Sequence, residues 1–230
     1  MRKTISWTVA MMLAATSLGA AANEPKGSNV ADKAGAESES SAAVRQLYLA
    51  DEVADYGHEA RNPMALIVAA EMITQASARD VEQAKTTGGK GTAGDKAAKP
   101  ARDVASLLGE ARALSGQNAA LLAAIDRVAA SESKGRSNGP GQVSERVLAG
   151  DTDSYTLRFD GEEQAAVVVV GDGDTDLDLF VYDENGNLVC EDADTTDTML
   201  CEWTPRWTGN FTIRIKNLGR VYNAYEMATN

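Results

Sequence analysis

Histidine occurs once in this 230-residue sequence, as His58, and cysteine twice, as Cys190 and Cys201. These scarcities remove whole classes of chemistry. Two cysteines and one distant histidine cannot make up the ligand set of a zinc site. A Ser-His-Asp or Cys-His arrangement could recruit only His58. His58 falls at the end of the first expected helix, where an imidazole interacts favourably with terminal carbonyls. The GDGDTD run at 171–176 is no phosphate cradle, because it puts acids where a phosphate would sit. Aromatic residues make up 5% of the chain and the net charge is −12, with no basic stripe carrying interleaved aromatics. Such a chain repels phosphate backbones and anionic membrane surfaces, so neither nucleic acid nor a membrane is an expected partner. Paired carboxylates are the one catalytic device that an acidic chain always offers.

Long hydrophobic runs are missing beyond the first residues. Arg2 and Lys3, an apolar stretch from Ile5 to Gly19 and the small residues Ala20-Ala21-Ala22 read as a signal peptide over 1–22, cleaved before Asn23. The stretch falls short of the roughly 20 apolar residues that span a bilayer. No cysteine stands at the cleavage point for a lipid anchor, and the runs at Ala65–Ala70 and Ala165–Val170 are far too short to span. The expected mature protein has no membrane span. It is exported, to the periplasm or the medium, with a net charge of about −14 once Arg2 and Lys3 are gone. In an oxidising compartment Cys190 and Cys201 are expected to pair, the alternative being two buried thiols. Closing so short a loop contributes ~3 kcal/mol.

What remains divides into two parts. Residues 23–41 are rich in Ala, Ser, Gly, Glu and Lys, lack aromatics, and read as a flexible leader. A helical region over 42–130 follows. Val44, Leu47, Tyr48, Asp51 and Ala54 keep helical spacing; Asn62-Pro63 ends that helix and caps the next, whose buried face is expected from Met64, Ile67, Val68 and Ile73. Val104 to Leu114 and Leu121 to Ala129 mark two more helices, broken at Ser115-Gly116 with Asn118 as a cap. Between the two helical hairpins, residues 80–100 with their TTGGKGTAGDKAAK run read as a disordered insert, and 131–142 read as a linker.

From Val143 the period changes to two. Tyr155, Leu157 and Phe159, then Leu177, Leu179 and Val181, then Phe211, Ile213 and Ile215 alternate with polar or outward neighbours, and Ala165–Val170 is a continuous run fit for a central strand. Turns are expected at Asp160-Gly161, Asn185-Gly186, Gly209-Asn210 and 217–219. Seven or eight short strands at this spacing predict an antiparallel β-sandwich over 143–230. The fold class is therefore a small four-helix, helical-hairpin region followed by an all-β part.

Asp176 to Phe180, the Asn185-Gly186 turn, Pro205 with Gly209-Asn210-Phe211, and Tyr225 together resemble the bacterial pre-peptidase C-terminal domain family. The resemblance covers under half the chain and implies a jelly-roll-like sandwich. Domains of that family are usually appended to exported enzymes, and relatives of the fold bind calcium or extracellular polymers. Here no peptidase domain precedes the module.

From Phe159 to Pro205 there is no Lys, Arg or His. Asp172, Asp174, Asp176 and Asp178 alternate through a Gly-rich turn into a strand, and two readings are open. They could supply oxygen ligands to calcium, for rigidity and not catalysis, although Leu177 stands where an EF-hand needs Gly. Alternatively they form a solvated acidic turn capping backbone N–H groups. Trp203, Arg206 and Trp207 around Pro205 are either a stacking surface for a ligand or, in part, core that closes the sandwich end. The expectation overall is an exported, non-catalytic binding or accessory protein of the bacterial envelope, with an envelope protein or extracellular polymer as partner. Two alternatives stand beside it. One is a carboxylate-dependent secreted hydrolase with facing acids between the two parts; the other is an envelope-stability protein without a specific ligand.

Overall fold

The computed structural model describes residues 27–96, 102–132 and 139–230. The signal-peptide reading and parts of the expected insert and linker lie outside them.

Four helices form as the periodicity predicts. α1 (Glu39–Glu59) starts in a capping box in which the Ser38 side chain accepts from the Ser41 N–H and the Ser41 side chain returns a bond. α2 (Pro63–Ala76) is capped by Asn62 with Pro at its first turn. α3 (Val104–Ser115) is capped by Asp103, and α4 (Ala119–Glu132) by Asn118, whose carboxamide oxygen accepts from Ala120 and Leu121. Their shared core is Ala54, Leu66, Ile67, Ala70, Leu107 and Ile125 with close neighbours. The buried face of α2 differs from the expected one. Met64 and Val68 are exposed, while Leu66 and a series of alanines point inward, because the small residues let α1 and α2 approach closely.

The β part is two five-stranded sheets face to face. The strands are β1 (Arg79–Asp80), β2 (Lys85–Gly88), β3 (Gly141–Val147), β4 (Thr152–Phe159), β5 (Ala165–Val170), β6 (Leu177–Tyr182), β7 (Leu188–Asp192), β8 (Thr198–Trp203), β9 (Gly209–Asn217) and β10 (Asn223–Thr229). One sheet runs β1-β3-β10-β5-β8 and the other β2-β4-β9-β6-β7, antiparallel except for β1 beside β3. Inward positions of β4, β6 and β9 fill the core as their alternation requires. Phe159 and Trp203 meet edge to face at 4.8 Å, with Phe211 against both. Gly209-Asn210 opens β9 and is no turn.

Within three segments expected to be unstructured or merely connecting, described residues are ordered instead. The leader docks on the sandwich: Asn29 is fully buried, its N–H on the Asp183 carboxylate at 2.8 Å, and Ala31 donates to the Thr204 carbonyl. The expected linker is shortened at both ends, by α4 reaching Glu132 and β3 starting at Gly141. Most consequentially, the insert and the residue before it supply β1 and β2, one edge strand of each sheet. Lys85 in β2 holds the fully buried Asp153 of β4 at 2.8 Å, and the Thr87 hydroxyl donates to the same carboxylate at 2.5 Å. Tyr225 also donates to Asp153 at 2.8 Å, and its hydroxyl lies 2.6 Å from that of Tyr155. Burial, then Tyr155 and Asp153, push the Tyr225 hydroxyl far above its usual pKa and keep it neutral. At the opposite edge the Cys190–Cys201 disulfide ties β7 to β8 across the sandwich, with Cα atoms 5.9 Å apart.

If Lys85 closes the sandwich in this way, Lys85→Met leaves a buried carboxylate without its cation and should cost about 3 kcal/mol in urea unfolding. Adding Asp153→Asn should recover part of the loss. A loss within the ~0.5 kcal/mol typical of surface changes would show that the insert is not structural.

Candidate functional site

The helices cover only part of the outer face of the first sheet. Val44 of α1 packs on Ala166, Val168 and Ala228, with Leu47 and Tyr48 beside it. Farther along the face, outward positions of β3 and β10 carry Ser144 opposite Glu226 and Arg146 opposite Ala224. Ser144 and Ala224 are small and leave room under the helices, and Arg146 and Glu226 line it. The result is a cleft of about 1370 Å³, floored by β3, β10 and β5 and roofed by the end of α2, the start of α3 and the far half of α4. Leu47, Ile73 and Val170 give it partly exposed apolar walls, whereas Asp51, Asp80, Asp103 and Glu226 bring carboxylates from four separate elements.

These acids differ in their environments. Asp51 is 6% exposed; it accepts from the Thr198 hydroxyl at 2.7 Å and pairs with Arg102 at 3.0 Å. Burial nevertheless dominates and raises its pKa from 3.8 to about 6, against the pull of Arg102 and Thr198. Arg102 is shared with Asp55. Glu226 accepts from the Gln142 side chain at 3.0 Å. Its carboxyl is raised by burial and then by Asp103, Asp80 and Asp51 in that order, although water still reaches it in the cleft. Asp103 caps α3 through the Ser106 N–H at 2.8 Å.

The alternating aspartates separate, and only Asp172 among them lines the cleft. Asp172 and Asp174 both hold Lys96 of the insert, the latter at 2.9 Å, and the ammonium sits 4.1 Å above the Tyr222 ring. The Asp176 carbonyl accepts from Leu218. Asp178 stands opposite Lys216 in the other sheet, its carboxyl raised by burial and then by Asp176. Asn223 and Asp197 fix the turn: Asp197 accepts from Gly173 at 2.6 Å and from Asn223 at 2.8 Å. Among the described residues no group of three or more His, Cys, Asp or Glu is placed to hold a metal ion.

The tryptophan corner is divided by burial. Trp203 is core, 5% exposed. Trp207 is 41% exposed and donates its indole N–H to Glu184 at 2.6 Å, and Arg206 meets Asp32 at 3.2 Å. His58 pairs with Glu110 of α3 at 2.9 Å, so its partner is a neighbouring helix and not its own terminal carbonyls. Sequence reasoning passed over Lys96, Lys85 and the Asp80–Asp103–Glu226 group. Their one visible signal is that the insert carries cations while the β segment from 159 to 205 carries none.

No protein-family model matches the chain, and no curated protein matches it. Among solved structures it is similar to the pre-peptidase C-terminal domain of a collagenase from Bacillus anthracis, with 14% identity and a TM-score of 0.32 over 39% of this chain and 87% of that one. It is also similar to a periplasmic inhibitor of g-type lysozyme from Aeromonas hydrophila, with 13% identity and a TM-score of 0.31 over 40% of this chain and 84% of that one. A third is a carbohydrate-binding module of a Cellvibrio mixtus lichenase in complex with cellotriose, with 15% identity and a TM-score of 0.27 over 41% and 88%. The first of these carries the family name that the residues of the sandwich resemble.

Asp51 makes stability depend on pH with a definite sign. Its folded pKa is above its unfolded one, so between pH 4 and 6 the folded chain keeps a proton that the unfolded chain has lost. Stability therefore falls as pH rises through that window, and the cost is fully present above it. Asp51→Asn should be more stable than the parent by about 1–2 kcal/mol at pH 7 and no different at pH 4. Urea unfolding at both pH values checks this, and a difference independent of pH would remove Asp51 as its source.

Proposed function

We propose that this chain is an exported, non-catalytic binding protein of the bacterial envelope whose ligand seat is the cleft between the helices and the first sheet. The observation that carries this reading is the cleft itself: a sheet face left uncovered, with apolar walls and carboxylates converging from four elements. Its size suits a ligand larger than most small-molecule pockets accept, which run roughly 300–1000 Å³. Export is supported by the N-terminal signal pattern and by the Cys190–Cys201 disulfide. Among the described residues no helix is long and apolar enough to cross a membrane. The partner is an envelope protein or extracellular polymer. Trp207 and Arg206 form a lesser surface at the far end of the sandwich.

Facing acids between the two parts are also what a carboxylate-dependent hydrolase needs, and Asp51 and Glu226 both hold protons more strongly than usual. Against it, Asp51 is engaged by Thr198 and Arg102 and is nearly sealed from the cleft.

The test is to plug the seat. Ala224 is an exposed floor position, so Ala224→Trp should fold with an unchanged melting midpoint yet lose the partners that the mature protein captures from envelope extract. Equal capture by parent and variant would overturn the reading. Release of products from peptidoglycan or casein by the parent, abolished in Glu226→Gln, would replace it with the hydrolase.

On the acidic turn, the reading gives the place of a calcium ion to the Lys96 ammonium. The melting midpoint of the mature protein should then be the same in millimolar calcium and in chelator, while Lys96→Ala lowers it. A calcium-dependent rise in the parent would return the turn to an ion site.

A further inference from the structure

Taking the cleft as the ligand seat, we propose that it binds a cationic polypeptide segment, with lysine or arginine side chains on Asp80, Asp103 and Glu226 and apolar side chains against Leu47, Ile73 and Val170. The described residues gather negative charge here and do not neutralise it. Glu226 lies within the field of Asp103, Asp80 and Asp51, which come from the cap of α3, from β1 and from α1. The guanidinium nearest this group, Arg102, is engaged by Asp51 and Asp55. Among the described residues neither Asp80 nor Glu226 makes an ion pair, and Asp103 makes only its backbone cap.

The other charged lining residues do not alter this balance. Glu145 is neutralised by Lys85 and Asp172 by Lys96, while Arg146 leans on the Tyr222 ring at 5.8 Å. Arg127 is exposed on α4, and the two guanidiniums of Arg127 and Arg146 do not offset Glu71, Asp80, Asp103 and Glu226. Like charges held together across four elements destabilise the free protein, and a cation entering among them relieves that repulsion.

Shape and surface chemistry then choose among cations and other ligands. Anionic ligands, nucleic acids and phosphorylated sugars among them, are repelled by the same carboxylates and by the net charge of −12. A neutral sugar polymer needs exposed aromatic faces, but Tyr225 is buried and Lys96 and Arg146 lie on Tyr222. A bare polyamine would leave the apolar walls uncovered. A polypeptide supplies both cations and apolar groups, and about 1370 Å³ is room for an extended segment.

The experiment is fluorescence anisotropy of a labelled decapeptide alternating lysine and leucine, titrated with the full mature protein at low and physiological ionic strength. Binding should weaken about tenfold in Asp80→Asn/Glu226→Gln. It should be unchanged in the charge-matched control Asp160→Asn/Asp194→Asn, whose residues are exposed on the sandwich loops. The cleft double variant should also melt at a higher temperature than the parent, since it relieves the repulsion. Spermidine should compete only weakly; full competition at equal concentration would overturn the polypeptide in favour of a small polycation. Equal weakening in both double variants, or no binding by the parent, overturns the proposal. In either case an intact capture loss in Ala224→Trp keeps the cleft as the seat, whereas capture by that variant takes the seat down as well.

Discussion

Val44 of α1 rests on Ala166, Val168 and Ala228, and this small apolar contact decides where every other helix stands relative to the sheet. β5 is apolar on both faces for that reason: Ala165, Val167 and Val169 face the sandwich core, and their alternating neighbours face the helix. Because α1 covers the β5 side of the sheet, the remaining helices overhang β10 and β3, where Ser144 and Ala224 are too small to fill the gap. The cleft is thus a product of packing. Its acids are brought in by elements that are themselves fixed by that first contact.

A sandwich of two sheets has two open sides, and this one closes them by unlike means. On one side a covalent bond joins β7 to β8. On the other the insert runs from the first sheet to the second, adding β1 and β2 and placing Lys85 and Thr87 on Asp153. A carboxylate buried on an inward position of β4 would be strongly destabilising alone; with an ammonium and two hydroxyls on it, its hydrogen-bonding capacity is met. The same insert continues to Lys96, whose ammonium ties down the acidic turn between β5 and β6.

The helices and most strands were legible in the sequence because period and caps are local signals. Val104, Leu107, Leu108 and Ala111 keep helical spacing and are buried as a stripe, and Asn62 and Asn118 cap where a short polar side chain must. The insert was not legible for an equally physical reason. Its strands are short, glycine-rich and exposed on one side, and what orders them is a set of long-range partners such as Asp153 and Asp172 that no window of sequence contains. Trp203 and Trp207 are four residues apart, yet strand alternation sends the first into the core, while the second follows the end of the strand and remains partly exposed. The cleft needed the structure outright: Asp51, Asp80, Asp103 and Glu226 share no motif and meet only because α1 sits on β5.

The route of the insert has a consequence for what counts as a unit in this protein. Composition draws a boundary near residue 143, where the period changes, and a segment cut there would look like a complete sandwich. It would lack one edge strand of each sheet, the cation for Asp153 and the cation for the acidic turn, all of which are encoded between the helical hairpins. The chain is therefore interleaved and not modular. Recombination could carry the β segment elsewhere only together with some 20 residues embedded in its neighbour.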